Sequence, residues 1–367
     1  MIRICDTTLR DGEQAAGVAF SIEEKCQIAG MLDEAGVHEI EAGTPVMGGD
    51  EFKSVSRIAG MGLHSRVVAW NRAVIDDIRV SIQAGATSVA LSLPVSDIMI
   101  TRKLGRERAW LLARLKDAVS FAKDSGLYVC VGAEDASRAD MDFIIEYAGL
   151  ARDYGADRLR FADTVGVLDP FKTFAAISQL RQAVDIDVEL HAHNDFGLAT
   201  ANAIAGAYAG AAFVSTTILG IGERAGNAPL EEAVMALKHV AGMDTGINTG
   251  SLGSLCGYVG AVSGRVIPDG KPVVGGRIFA HESGIHVDGV LKEPTIYEPY
   301  GPEEVGKKRE IALGKHSGRA ALAHRLSMLG VEVGGDDAGP LLVRVKEMGA
   351  RLKRPVSDNE LLSLCGA

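Results

Sequence analysis

Short apolar, β-branched runs alternate along the first two-thirds of the chain with longer stretches in which apolar residues recur every three or four positions. Residues 2–5 open the series. From Ser21 the pattern turns helical: Ser21 and Glu24 form a capping box, and Ile22, Cys26, Ile28, Ala29 and Leu32 make an apolar stripe that ends at Gly36. A strand over residues 37–41 follows at once. The same join recurs in EAGVHEIEAG, GMGLHSRVVAW, QAGATSVALSL, DSGLYVCVG, DYGADRLRFA and YAGAAFVSTT, each with a glycine at a helix end, where a positive φ is called for. With residues 2–5 and 188–193, the series predicts eight strands separated by helices. Eight βα units over about 230 residues predict an α/β fold of the TIM (β/α)8 type, with a doubly wound open sheet as the alternative.

The eighth helix is expected from near Pro229 to about Val240. Beyond it the texture becomes Gly-rich and Pro-punctuated to about Gly314, then helical again from Ala320 to Leu329 and from Pro340 to Leu352, where the proline suits a first helical position. The expected organisation is a catalytic barrel over residues 1–240 and a C-terminal, mainly helical extension over residues 241–367. That extension carries a dense polar stretch, HESGIHVDG, which a mere tail would not need.

Composition narrows the function classes. The 367 residues are 47% hydrophobic, enough for a sizeable core, and the formal net charge of −10 without basic runs excludes sequence-independent nucleic-acid binding and an anionic membrane surface. Small-molecule substrates are expected. No apolar run reaches membrane-spanning length, and the first residues lack the basic and apolar regions of a signal peptide. The five cysteines are widely spread and form no CxxC pair, which argues against a disulfide framework or a thiolate zinc site and makes the cytoplasm the expected compartment.

Chemistry concentrates in a few stretches. Residues 6–14, DTTLRDGEQ, place three carboxylates, a guanidinium, an amide and two hydroxyls directly after the first strand, where a barrel presents its active-site loop; a solvated loop is the plain alternative. At the end of the seventh strand, HAHND sets His191 and His193 on one face, so two imidazoles point into the barrel. They make two-thirds of a metal site that a carboxylate from the first loop would complete; hydrogen-bonded core histidines are the alternative. Three ligands of mixed N and O type leave open positions for a chelating substrate such as a keto acid, with Arg10 placed to neutralise charge developing on its carbonyl oxygen. GIGERAGN, over residues 220–227, is a weak phosphate-loop candidate without the lysine and hydroxyl of a Walker A pattern, and a flexible turn explains it equally well. His281 and His286, taken by themselves, read as surface residues of a connector.

DTTLRDGEQ, FADTVG, HAHNDFGLATANA, GIGERAGNAPLEE, HESGIHVDG and LGKHSG, in this order, resemble the acyl-CoA condensing family of 2-isopropylmalate and homocitrate synthases. The resemblance implies a Claisen-type condensation of acetyl-CoA with a 2-oxo acid followed by thioester hydrolysis, on a TIM barrel with a divalent metal (Mg²⁺, Mn²⁺ or Zn²⁺). It implies Asp11, His191 and His193 as metal ligands with Asn227 on or near the metal, Arg10 as the group that polarises the keto oxygen, Gln14 in that pocket and Thr164 on the substrate's 1-carboxylate. His286 matches the base that removes a methyl proton from acetyl-CoA, with Tyr297 close by and Glu134 as an acid/base partner. The extension is expected to cross to the partner's active site in a homodimer.

AWNR around Trp70, LSLPVSD, EDASRAD and LRFADTVG look most like the homocitrate synthases associated with nitrogen fixation, which supply homocitrate to the nitrogenase iron–molybdenum cofactor. This implies 2-oxoglutarate as acceptor. Lysine-pathway members usually have an arginine where Cys130 stands here; Arg160, two and four residues before Ala162 and Thr164 on one face, is expected to pair with the distal carboxylate, or else to make a salt bridge with an acid such as Glu134. Isopropylmalate or citramalate synthesis is the nearest rival, a metal-dependent lyase of the same barrel superfamily the next, and a catalytically silent acyl-CoA sensor the third.

Overall fold

A computed structural model describes residues 1–332 and 337–366. The chain forms two compact units, Met1–Val266 and Ile267–Ala367. In the first, β1 (Arg3–Asp6), β2 (Glu39–Gly43), β3 (Arg66–Arg72), β4 (Ser88–Pro94), β5 (Tyr128–Glu134), β6 (Arg158–Asp163), β7 (Asp187–Ala192) and β8 (Phe213–Thr216) close into an all-parallel barrel in sequence order. Closure joins β1 to β8 with Arg3 opposite Phe213 and Asp6 opposite Thr216. The predicted TIM barrel is the observed fold.

The helices outside it are α1 (Ile22–Glu34), α2 (Gly49–Ala59), α3 (Ile75–Gln83), α4 (Arg108–Asp124), α5 (Met141–Asp153), α6 (Pro170–Ala183), α7 (Ala199–Tyr208) and α8 (Leu230–His239). α1 starts as the sequence predicts. The Ser21 hydroxyl accepts from the Glu24 amide, and the Glu24 carboxylate accepts from the Ser21 amide in return. The main apolar core lies between strands and helices, where Leu91, Val129, Val131, Leu159 and Val188 meet Leu111, Leu115, Ile144 and Ile177.

The barrel unit continues past residue 240. Ile2 donates to the Asp244 carbonyl and Asn248 to the Ala35 carbonyl, and α9 (Leu252–Val262) buries Leu252, Leu255, Cys256 and Val259 against α1 and the turn Ile218–Gly220. The change in texture at residue 241 marks the end of the βα repeat, while the compact units divide after Val266.

The second unit contains a small parallel sheet, β9 (Ala280–His281) with β10 (Glu310–Ile311), and the helices α10 (Gly284–Lys292), α11 (Arg319–Met328), α12 (Ala338–Leu352) and α13 (Asp358–Cys365). Its core joins Val287, Leu313, Leu322, Leu326, Val345 and Leu361. α12 begins two residues before Pro340, which therefore sits third in the helix; the missing N–H is tolerated there because first-turn amides have no intrahelical acceptor.

Inside the barrel the lower layers carry charge where a TIM barrel usually packs branched apolar side chains. Glu39 and Glu41 on β2, Arg158 and Arg160 on β6, and Glu189 on β7 point inward by strand alternation and are buried. Arg158 bonds Glu39 and, at 2.7 Å, Glu189; Arg160 bonds Glu189 at 2.8 Å and Glu41 at 2.7 Å. Arg66 closes the lower end on Glu39 at 2.5 Å and Arg10 the upper end on Glu41 at 2.5 Å. The opposite wall is apolar, formed by Val68, Ala90 and Cys130 with Trp70 packed on them.

Burial alone raises the Glu189 carboxyl, but Arg158 and Arg160 bring it down to about 2. A depressed carboxylate stabilises the fold fully above its unfolded value and loses that contribution as pH falls through the folded value. Glu189→Gln is therefore expected to destabilise by about 3–5 kcal/mol at neutral pH, the cost of breaking a buried pair, with the gap from wild type narrowing as pH falls from about 4.5 towards 2. Urea midpoints across that range measure it.

Candidate active site

The upper end of this charge ladder opens into a cavity of about 270 Å³ at the C-terminal mouth of the barrel, where the βα loops of this architecture build their sites. After β1 the chain turns back on itself: the amides of Arg10, Asp11 and Gly12 all donate to the Thr7 carbonyl. This tight loop buries Asp11 and directs Arg10 into the cavity. Arg10 is held between Glu41, which accepts from its Nε, and Asp11 at 3.3 Å, with the Trp70 ring 5.6 Å from its guanidinium carbon.

Three donor atoms converge below it. Asp11 Oδ2 lies 3.1 Å from His191 Nε2 and 4.0 Å from His193 Nε2, and the two imidazole nitrogens are 3.3 Å apart. All three residues are buried. Burial opposes charge on Asp11, but Arg10 and His191 hold its carboxyl well below the usual range. Desolvation, with His191 adding, pushes His193 down to about 4, which keeps its imidazole neutral at physiological pH. An anionic oxygen and imidazole nitrogens facing one point are a donor set for a divalent cation of Mg²⁺, Mn²⁺ or Zn²⁺ type. Asn227 is paired with His193 in an isolated β-bridge, and its buried Oδ1 has no hydrogen-bond partner, so the residues present fit a metal.

The GIGERAGN loop closes on its own backbone and brings two of its side chains to this site. Two of its amides are used internally, Gly226 to the Glu223 carbonyl and Asn227 to the Gly220 carbonyl, and a Cβ on Gly226 would lie 1.8 Å from the Gly220 oxygen. The loop delivers Asn227 to His193 and Arg224 to Asp195, whose carboxylate it binds in bidentate fashion.

Gln14, Glu134, Arg160 and Thr164 line the same cavity as Arg10, Asp11, His191 and His193. Thr164 Oγ1 accepts from the Asp135 amide. Glu134 is tied to Lys103 at 2.7 Å, so the acid expected to pair with Arg160 is engaged elsewhere. Arg160 instead has its Nε on Glu189 and its Nη1 on Glu41; the salt-bridge alternative is the one observed, with different acids, and only the Nη2 edge, 3.7 Å from Cys5 Sγ, is without a carboxylate. His286 and Tyr297 belong to the second unit, where their ring centroids lie 4.3 Å apart.

Glu39, Glu41 and Glu189 were not singled out by sequence. Their signal was present in EIEAG and VELHAH, where each glutamate shares the inward face of a strand whose other inward residues carry chemistry.

A family model described as HMGL-like matches residues 1–259, and one described as homocitrate synthase post-HMGL domain-like matches residues 273–353. The chain belongs to the HMGL-like family. Within it, the chain is 54% identical over 363 residues to a 2-isopropylmalate synthase 2 from Caldanaerobacter subterraneus, covering 99% of this chain and 94% of that one. It is 50% identical to homocitrate synthase 1 from a Nostoc species, covering 99% and 96%. These relatives make it an enzyme of the 2-isopropylmalate and homocitrate synthase group of the HMGL-like family. The barrel superposes on an HMG-CoA lyase from Bacillus subtilis with a TM-score of 0.65 at 18% identity, over 73% of this chain and 95% of that one, a likeness of fold.

Mn²⁺ titration of the metal-free enzyme is expected to show one tight site. Asp11→Asn should weaken it by more than the roughly 10–100-fold typical of losing an outer-shell partner, whereas Glu41→Gln, which contacts Arg10 and no ligand, should stay within that range.

Proposed function

We propose that the enzyme joins the methyl carbon of acetyl-CoA to the carbonyl carbon of a 2-oxo acid and then hydrolyses the thioester, with 2-oxoglutarate as acceptor and homocitrate and CoA as products. The observation that carries this reading is the buried trio Asp11, His191 and His193 directly beside Arg10. Asp11, His191 and His193, with Asn227 on or near the ion, would hold a divalent cation that would supply Lewis-acid chemistry to the 2-oxo acid. Arg10, fixed by Glu41, meets the negative charge that grows on the carbonyl oxygen as the new carbon–carbon bond forms. Thr164 holds the 1-carboxylate, and Gln14 closes the pocket.

His286 takes the methyl proton that enolisation releases, with Tyr297 beside it and Glu134 as the acid/base partner on the barrel side. In this reading two chains form a homodimer, and each extension brings His286 and Tyr297 to the partner's barrel. The five cysteines are widely spread without a CxxC pair, which supports a cytoplasmic enzyme, and the motif resemblance supports a role in nitrogenase cofactor supply. Among the described residues no helix is long and apolar enough to cross a membrane.

The apolar wall of Val68, Ala90, Cys130 and Trp70 favours a second reading, in which the acceptor has a branched or small apolar tail, as the name of the Caldanaerobacter relative implies for that protein. A thiol-release assay with acetyl-CoA against 2-oxoglutarate, 2-oxoisovalerate and pyruvate separates the two. Preference for 2-oxoglutarate is the expected result, and preference for 2-oxoisovalerate would replace the homocitrate reading.

Arg160→Leu then tests the role of that side chain. If its Nη2 edge meets the distal carboxylate, kcat/KM falls much further for 2-oxoglutarate than for pyruvate. If Arg160 acts only by bracing Glu41 and Glu189, both values fall together.

A further inference from the structure

The second unit presents His286 on the solvent side of α10, whose other face buries Val287 and Val290. The ring of Tyr297, itself 40% exposed, covers the imidazole at 4.3 Å between centroids and an interplanar angle of 33°. The ring also lies across Gly289, three residues on and hence on the same helix face: a Cβ there would come within 2.5 Å of Tyr297 Cε2. Bare backbone at Gly289 is what lets the two rings meet.

Something must hold Tyr297 in that slot, since it leaves a single turn, Pro294–Ile296, on an exposed loop. A lone ring stack is weaker than the backbone ordering it would have to offset. The next residue supplies the anchor. Glu298 is only 6% exposed and accepts from His281 Nε2 at 2.9 Å and from Arg309 at 2.8 and 2.5 Å through Nε and Nη2. His281 is on β9 and Arg309 immediately precedes β10, so one carboxylate ties the loop to both strands of the small sheet. The hydrogen bonds from Arg309, with His281 adding to them, hold that carboxyl below the usual range despite its burial. The bidentate, charge-assisted geometry is the strong kind.

We propose that Glu298, clamped by His281 and Arg309, is a positioning residue that fixes the Tyr297 ring on His286 and so aims the imidazole. It touches neither substrate nor His286; it acts through Tyr297. The proposal rests on the reading of His286 as the base, and the test separates the two.

In the full-length enzyme, Glu298→Gln is expected to lower kcat by up to about a hundredfold, the scale of a small misplacement of a reacting group, while leaving KM for the 2-oxo acid unchanged. The His286 ring protons should lose the ring-current displacement that Tyr297 imposes, with the rest of the NMR spectrum preserved. In a Tyr297→Ala background the same substitution should cost nothing further, because the effect passes through that ring. Should Glu298→Gln fail to fold, Arg309→Lys weakens the clamp without removing its charge and is expected to show the same split to a smaller degree. An unchanged His286 ring signal in whichever of these variants folds, or an equal loss of kcat with and without Tyr297, overturns the proposal. If His286→Ala retains full kcat, the reading of the base fails instead, while the ring signal still decides whether Glu298 sets the stack.

Discussion

The barrel interior is organised by a buried chain of opposite charges. From an exposed Arg66 at the lower end of the barrel, Glu39, Arg158, Glu189, Arg160, Glu41, Arg10 and Asp11 follow one another to its mouth, four cations against four anions, each link an ion pair. Isolated, any one of these groups would be prohibitively costly to bury; joined, each offsets the desolvation of the next. The consequence for chemistry is orientation. Arg10 cannot turn away from Asp11, His191 and His193 without breaking its bond to Glu41, and Glu41 is itself fixed by Arg160.

This arrangement separates two tasks that share one cavity. The wall formed by β1, β2, β6 and β7 carries the charges and the imidazoles, whereas β3, β4 and β5 contribute Val68, Trp70, Ala90 and Cys130. Under the proposed function, the first wall sets the reaction type and the second, together with the Nη2 edge of Arg160, meets the acceptor's tail. The GIGERAGN loop illustrates a further economy of the fold: its glycines are needed for close backbone approach, and the residues they position are Arg224 and Asn227.

Much of this was legible in the sequence. Glycines before short apolar runs marked the βα joins, and HxH on a strand with an Asp-containing first loop marked the residues that converge in the cavity, because alternation fixes which side chains share a face. What could not be read was partnership. Alternation also turned Arg160 inward, but which acid meets it depends on the stagger of β2, β6 and β7 around the closed barrel, a property of tertiary register. The unit boundary was hidden for a similar reason: α9 is apolar enough to be core, yet its docking on α1 has no local signature. Glu298 is likewise ordinary in sequence and distinctive only once β9 and β10 bring His281 and Arg309 to it.

The central claim is that Asp11, His191 and His193 hold a cation on which the 2-oxo acid chelates beside Arg10. Pulsed electron paramagnetic resonance of the Mn²⁺-loaded enzyme reads this directly, using 2-oxoglutarate whose carbonyl carries a magnetic oxygen isotope. The account predicts nitrogen couplings from two imidazoles, one of which disappears in His193→Ala, and a further oxygen coupling when the labelled acid is added. A metal signal without imidazole nitrogen, or one that the labelled acid leaves unchanged, would contradict it.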